Sequence, residues 1–142
     1  MRDLDARGVG VSRRLLQTTV AILSLIPVAG GAAGVLLGPG FVGGAAADGI
    51  ADLDSHFRYL SGIFLAVGLV FWSTVPAIER RTARFRLAAA LVVCGGLGRL
   101  LSLAVAGAPT PPHLAGLAME LVVVPLLVLW QGRVARSWDR TG

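Results

Sequence analysis

Residues 87–105 read LAAALVVCGGLGRLLSLAV, and residues 114–130 read LAGLAMELVVVPLLVLW. Each run is apolar and carries a single charged residue, Arg99 in the first and Glu120 in the second. A charge near the middle of a bilayer costs about 2.5–3.5 kcal/mol on insertion scales, so it is normally paired or functional. The short Pro-rich link 106–113 makes the two runs antiparallel neighbours. Arg99 lies seven residues before Ala106, and Glu120 seven after His113. At 1.5 Å of rise per residue, both lie about 10 Å below the same edge of the membrane. The two side chains are expected to face each other.

The rest of the chain agrees with a membrane reading. Of its 142 residues 55% are hydrophobic and only 15% charged, with a mean hydropathy of +0.75. Soluble domains average about 25% charged residues, and a soluble protein this small has too little interior to hide so much apolar surface. Two further apolar runs, 15–37 and 57–78, precede the first two. A span needs roughly 20 residues, so the fourth run is extended to 112–131 to reach that length. Backbone groups in lipid must be satisfied internally, so the runs are helices. The expected fold is an all-α integral membrane protein, a single domain (1–142) of four transmembrane helices with an outer loop at 38–54.

Charge placement sets the expected orientation. All thirteen basic residues are arginine. Eleven fall in three segments: Arg2, Arg7, Arg13 and Arg14; Arg80, Arg81, Arg84 and Arg86; Arg133, Arg136 and Arg140. The connections 38–56 and 106–113 contain none and carry Asp48, Asp52 and Asp54 instead. The positive-inside rule places both termini and the middle loop in the cytoplasm. Trp72 and Trp130 lie near the inner ends of their spans, as interfacial aromatics do. The net charge of +5 is thus a topology signal and not a nucleic-acid footprint. An all-arginine basic complement in an Ala-, Gly- and Val-rich chain fits a GC-rich bacterial genome, and the expected location is a bacterial inner membrane. Arg13-Arg14, the first run and Ala45-Ala46-Ala47 resemble a signal peptide. The run is well over the usual h-region of about 7–15 residues, so an uncleaved first helix is the expectation.

Small residues offer packing faces: Gly30, Gly34 and Gly38 on the first helix, Gly62 and Ala66 on the second, Ala90, Cys94 and Gly98 on the third. Such spacings let helices approach closely in lipid. The lone cysteine excludes an internal disulfide, and Cys94 reads as a small packing residue. Pro27 and Pro76 are expected to kink or end their helices, and Pro125 to loosen the turn near Leu121, beside Glu120.

The polar residues on the acidic side form the candidate site. Gly95, Arg99, Ser102 and Ala106 share one face of the third helix, and His113, Gly116 and Glu120 one face of the fourth. On the second helix Asp54 and Arg58 are four apart, as are Asp52 and His56, spacings that suit helical ion pairs. Arg58, Ser61, Arg99, Ser102, His113 and Glu120 are the expected ligand-binding residues, with Asp54 and His56 at the rim. A register role for an Arg–Glu pair competes with a functional one, and Arg58 alone reads as a snorkelling residue. Glu79-Arg80-Arg81 reads as an inner-loop anchor. No metal-ligand spacing, CxxC, GxSxG or phosphate loop occurs.

The segment His56-Phe57-Arg58-Tyr59-Leu60-Ser61-Gly62, Pro76-x-x-Glu79, Gly95-Gly96-x-x-Arg99-Leu100-Leu101-Ser102, and Glu120-Leu121 with Pro125 resemble a bacterial family of small four-helix membrane proteins known as a domain of unknown function. That family is distantly similar to the DoxX-like proteins. The resemblance covers about residues 54–130 and implies a four-helix bundle with the Arg and Glu positions turned inward. Some DoxX-like proteins are associated with quinone-linked oxidation, but this chain has no cysteine pair to carry that activity.

Two classes of function follow. The favoured one is a non-catalytic binding or accessory subunit whose outer-leaflet pocket takes a lipid-like, quinone-like or anionic ligand. The other is a quinone-linked membrane oxidoreductase using Glu120 or His113 for proton transfer. No bound cofactor is called for beyond a quinone or lipid. The expected partners are the lipid bilayer and another membrane protein or a second copy of the chain, with no nucleic acid.

The topology carries its own test. In a Cys94→Ser background, Gly43→Cys and Thr110→Cys should each be labelled by an impermeant maleimide added to intact cells. Protection of both would reverse the orientation.

Overall fold

A computed structural model describes residues 2–42 and 51–141. The described residues form six helices: α1 (Arg2–Leu23), α2 (Leu25–Leu37), α3 (Ala51–Thr74), α4 (Thr82–Ala106), α5 (Pro111–Ala118) and α6 (Val124–Thr141). Short 3-10 turns occupy Gly38–Val42 and Val75–Ala77, and one π-helical turn occupies Met119–Val123. No strand occurs among the described residues. Four continuous stretches are long and apolar enough to cross a membrane: Gly8–Gly40, Ala51–Ala77, Thr82–Ala106 and Pro111–Arg140. They contain the four expected spans to within a residue. Leu36, Leu101 and Val105 are exposed while Gln131 and Thr74 are fully buried. That inversion suits a chain whose surface meets hydrocarbon, where polar groups must be satisfied inside.

Prolines break the helices where expected. Pro27 has no N–H for the carbonyl one turn back, and the first span is interrupted at Ser24, whose hydroxyl donates to Val20 O at 2.6 Å. α3 gives way to a 3-10 turn at Pro76. Pro125 cannot donate to Leu121 O, and the chain answers with a π turn in which Val124 N–H reaches Met119 O. α3 begins six residues before the expected span, because Asp52 and Asp54 in its first turn favour a helix N-terminus. Of the expected outer loop, residues 43–50, with Asp48, lie outside the described residues.

The chain divides into two compact units, residues 19–73 and residues 1–18 with 74–142. In the first, α2 lies close against α3. A Cβ on Gly31 would meet Leu65 N at 2.5 Å, and one on Gly34 would collide with Ser61. Trp72 Nε1 donates to Ala21 O at 2.9 Å. The expected small-residue faces are shifted. Gly31 joins Gly34 in close contact, whereas Gly30 has ordinary room, and Gly68 against Val28 replaces the Gly62–Ala66 pair.

In the second unit the core sits at the arginine-rich end. Leu16, Ile78 and Phe85 are fully buried, with Ala88, Ala89 and Val134 nearly so. A polar network runs through it. Arg13 Nε bonds Glu79 Oε2 at 2.7 Å and Nη2 bonds Pro76 O at 3.1 Å, while the guanidinium lies 5.2 Å from the centre of the Trp138 ring. Gln17 donates to Val75 O at 2.6 Å, Trp130 to Ser12 Oγ at 3.0 Å, and Gln131 to Ile78 O and Thr82 Oγ1. Glu79 is therefore a buried structural partner and more than a loop anchor. The expected Ala90–Cys94–Gly98 packing face is exposed, Cys94 included, and Gly96 makes the close contact on α4 instead.

Burial pushes the Glu79 carboxyl up, but its bonds to Arg13 and its own backbone N–H, with the charges of Arg13 and Arg80, outweigh this and hold it below the ordinary carboxylate value. A depressed pKa contributes stability above the unfolded value, and that stability is lost as pH falls through the folded one. Detergent-solubilised protein should therefore lose thermal stability as pH drops below the usual glutamate range. Glu79→Gln should flatten that dependence. Glu79→Ala should cost about 1–3 kcal/mol at neutral pH. An unchanged acid limb in Glu79→Gln would remove the ion pair from this role.

Candidate functional site

Arg99 and Glu120 meet as their spacing predicts. Arg99 Nε lies 3.1 Å from Glu120 Oε1. Arg99 rises from α4, and Glu120 belongs to the π turn that Pro125 imposes on the fourth span. Such turns recur at functional sites. Gly96, one turn before Arg99, makes the approach possible. A Cβ there would lie 2.7 Å from Leu121 Cδ2 and 2.9 Å from Glu120 Cβ. The guanidinium then lies over Gly116, with Nη1 3.8 Å from where a Gly116 Cβ would stand.

The two partners are unequally covered. The Glu120 side chain is 12% exposed and that of Arg99 is 42% exposed. The inward orientation implied by the resemblance thus applies to Glu120, while Arg99 is half out. The pair covered on both sides is Arg13–Glu79, which the sequence reading did not find. Glu120 Oε2 is buried without a hydrogen-bond partner. Among the described residues nothing takes up the two Nη groups of Arg99.

The other expected site residues are engaged differently. His113 Nδ1 and Thr110 Oγ1 share a hydrogen bond at 3.0 Å in the first turn of α5, and His113 is exposed. Ser102 is exposed on α4. Arg58 and Ser61 belong to the other unit. Arg58 binds Asp54 through Nε at 2.8 Å and Nη2 at 3.1 Å, and its Nη1 donates to Val35 O at 2.6 Å and Leu36 O at 3.2 Å. Gly38, at φ +68°, leaves room for that pair where a side chain would strike it. Arg58 thus closes the frayed carbonyl end of α2, a structural use of all its nitrogens. His56 lies beside Tyr59, ring centres 6.4 Å apart. Among the described residues no three His, Cys, Asp or Glu converge as metal ligands.

The described residues make a small helical protein with four stretches long and apolar enough to cross a membrane and an ion pair joining two of them. The chain matches the family described as a domain of unknown function (DUF4345) over residues 15–131, and it belongs to that family. No curated protein and no solved structure matches it significantly.

If Arg99 and Glu120 are coupled, removing one strands the other at membrane depth. Glu120→Ala should cost about 2–3 kcal/mol, the scale of an unpaired charge on insertion. Arg99→Leu with Glu120→Met should cost less than the sum of the two single changes. Additivity in a double-mutant cycle would show that the pair does not interact.

Proposed function

We propose that the protein is a binding or accessory subunit of a bacterial inner membrane, and that Arg99 is its ligand-binding group. The carrying observation is the open valence of that arginine. Glu120 takes one nitrogen, and the rest of a half-exposed guanidinium has no partner among the described residues. Hydrocarbon offers no acceptor, so a molecule that brings oxygens to this depth gains what water would give elsewhere. Arginine's planar fork suits paired oxygens such as those of a carboxylate, a phosphate or a quinone carbonyl with its neighbour. The ligand class is an amphiphile with an acceptor-rich head and an apolar body. Glu120 acts as a positioning residue, since its free oxygen is covered by protein. Ser102 and His113 are the polar groups proposed to flank the head.

The arginine distribution supports a location in which both termini face the cytoplasm. The site then opens to the outer leaflet. The similarity to DoxX-like proteins is part of the same reading. The second reading, a quinone-linked oxidoreductase, has one observation in its favour: Glu120 Oε2 is a buried oxygen without a hydrogen-bond partner, a place where a proton can be held.

Native mass spectrometry of gently extracted protein tests the proposal. Wild type should retain a lipid-soluble, oxygen-rich molecule that Arg99→Gln loses with helicity unchanged. Arg99→Lys, which keeps the charge without the fork, should retain part of it. Equal retention in wild type and Arg99→Gln would refute the binding role. Turnover of a short-chain quinone abolished by Glu120→Gln, with binding intact, would favour the oxidoreductase.

A further inference from the structure

At the opposite, arginine-rich end, two arginines converge on one glycine. Arg86 is on the second turn of α4 and Arg136 is on α6. One Nη of each lies 3.6 Å from the point where a Gly132 Cβ would stand. Both guanidiniums therefore overhang the same buried glycine, within reach of a single phosphate group. Like charges this close repel, and among the described residues no carboxylate pairs with either. The site is preorganised for an anion in the same way that forked arginines recognise phosphate elsewhere.

Its level identifies the anion. Arg86 immediately precedes the apolar run of α4, and Arg136 lies six residues past Trp130, where the apolar run of the fourth span ends. That is headgroup depth. Below the two guanidiniums the surface is apolar: Ala90, one turn along α4 from Arg86, and Leu129, two turns back on α6 from Arg136, are both exposed. A molecule held by its phosphate would lay an acyl chain along them. Basic sites between helices at this level bind anionic headgroups. We propose that Arg86 and Arg136, converging over Gly132, form a binding site for an anionic phospholipid, gripping its phosphodiester.

The test uses full-length protein in vesicles of equal parts phosphatidylcholine and phosphatidylglycerol, with bound lipid read by native mass spectrometry after extraction. Wild type should retain phosphatidylglycerol selectively. Arg86→Gln with Arg136→Gln should lower that retention roughly tenfold or more, given about 1 kcal/mol per arginine at a membrane surface. Arg80→Gln with Arg133→Gln removes the same charge elsewhere and should leave retention nearly unchanged. Gly132→Leu keeps every charge, fills the space between the guanidiniums, and should also lose the lipid. Equal loss in both double variants would reduce the effect to general charge and overturn the site. Displacement of the lipid by inorganic phosphate at modest concentration would make it a soluble-anion site and overturn the lipid assignment.

Discussion

The unit that carries the Arg99–Glu120 pair is held at its other end by the bonds of Arg13 to Glu79 and Pro76. Lipid supplies no hydrophobic drive between apolar helices, so their association has to come from packing and internal polar bonds. Arg13 and Gln17, four residues apart on α1, reach the carbonyls of Pro76 and Val75 that the break at Pro76 leaves exposed. Gln131 reaches Ile78 O and Thr82 Oγ1 across the same turn. Three helices are thereby tied to one short connection, and Leu16, Ile78 and Phe85 are buried around it. Without those bonds the carbonyls of the turn would lie unsatisfied beside an apolar core, at the cost that attends any buried unpaired group.

The sequence made the spans legible because a bilayer demands long apolar runs and little else imitates them. It made Arg99 and Glu120 legible because charge is rare at that depth, and equal distances from one short link fix their register. It made the consequence of Pro125 legible because a missing N–H has to be accommodated locally, and the π turn is that accommodation. Partners across the arginine-rich end were not legible. Glu79 sits between runs, beside Arg80, Arg81, Arg84 and Arg86, any of which would serve. Only the packing of α1 selects Arg13, although an arginine and a glutamine one turn apart at the start of an apolar helix were a signal. Small residues misled for a similar reason. On α4 the helical repeat offered Ala90–Cys94–Gly98 as a face, yet the contact uses Gly96, because it is the residue one turn before Arg99 on the side where the π turn arrives.

Comparing the three ion pairs shows why one of them is the candidate site. Arg13 is consumed by Glu79, Pro76 O and the Trp138 ring. Arg58 is consumed by Asp54 and two carbonyls at the end of α2. Each of the two commits at least two of its three guanidinium nitrogens to partners inside the protein. Arg99 makes the fewest bonds of the three among the described residues. An unmade bond costs most where water is scarce. The open nitrogens of an arginine inside an apolar span are therefore the reason that this pair, and not the other two, is proposed as the site. Glu120 holds that arginine from within the π turn, where Val124 N–H reaches Met119 O because Pro125 cannot donate, while the remainder of Arg99 has no partner among the described residues.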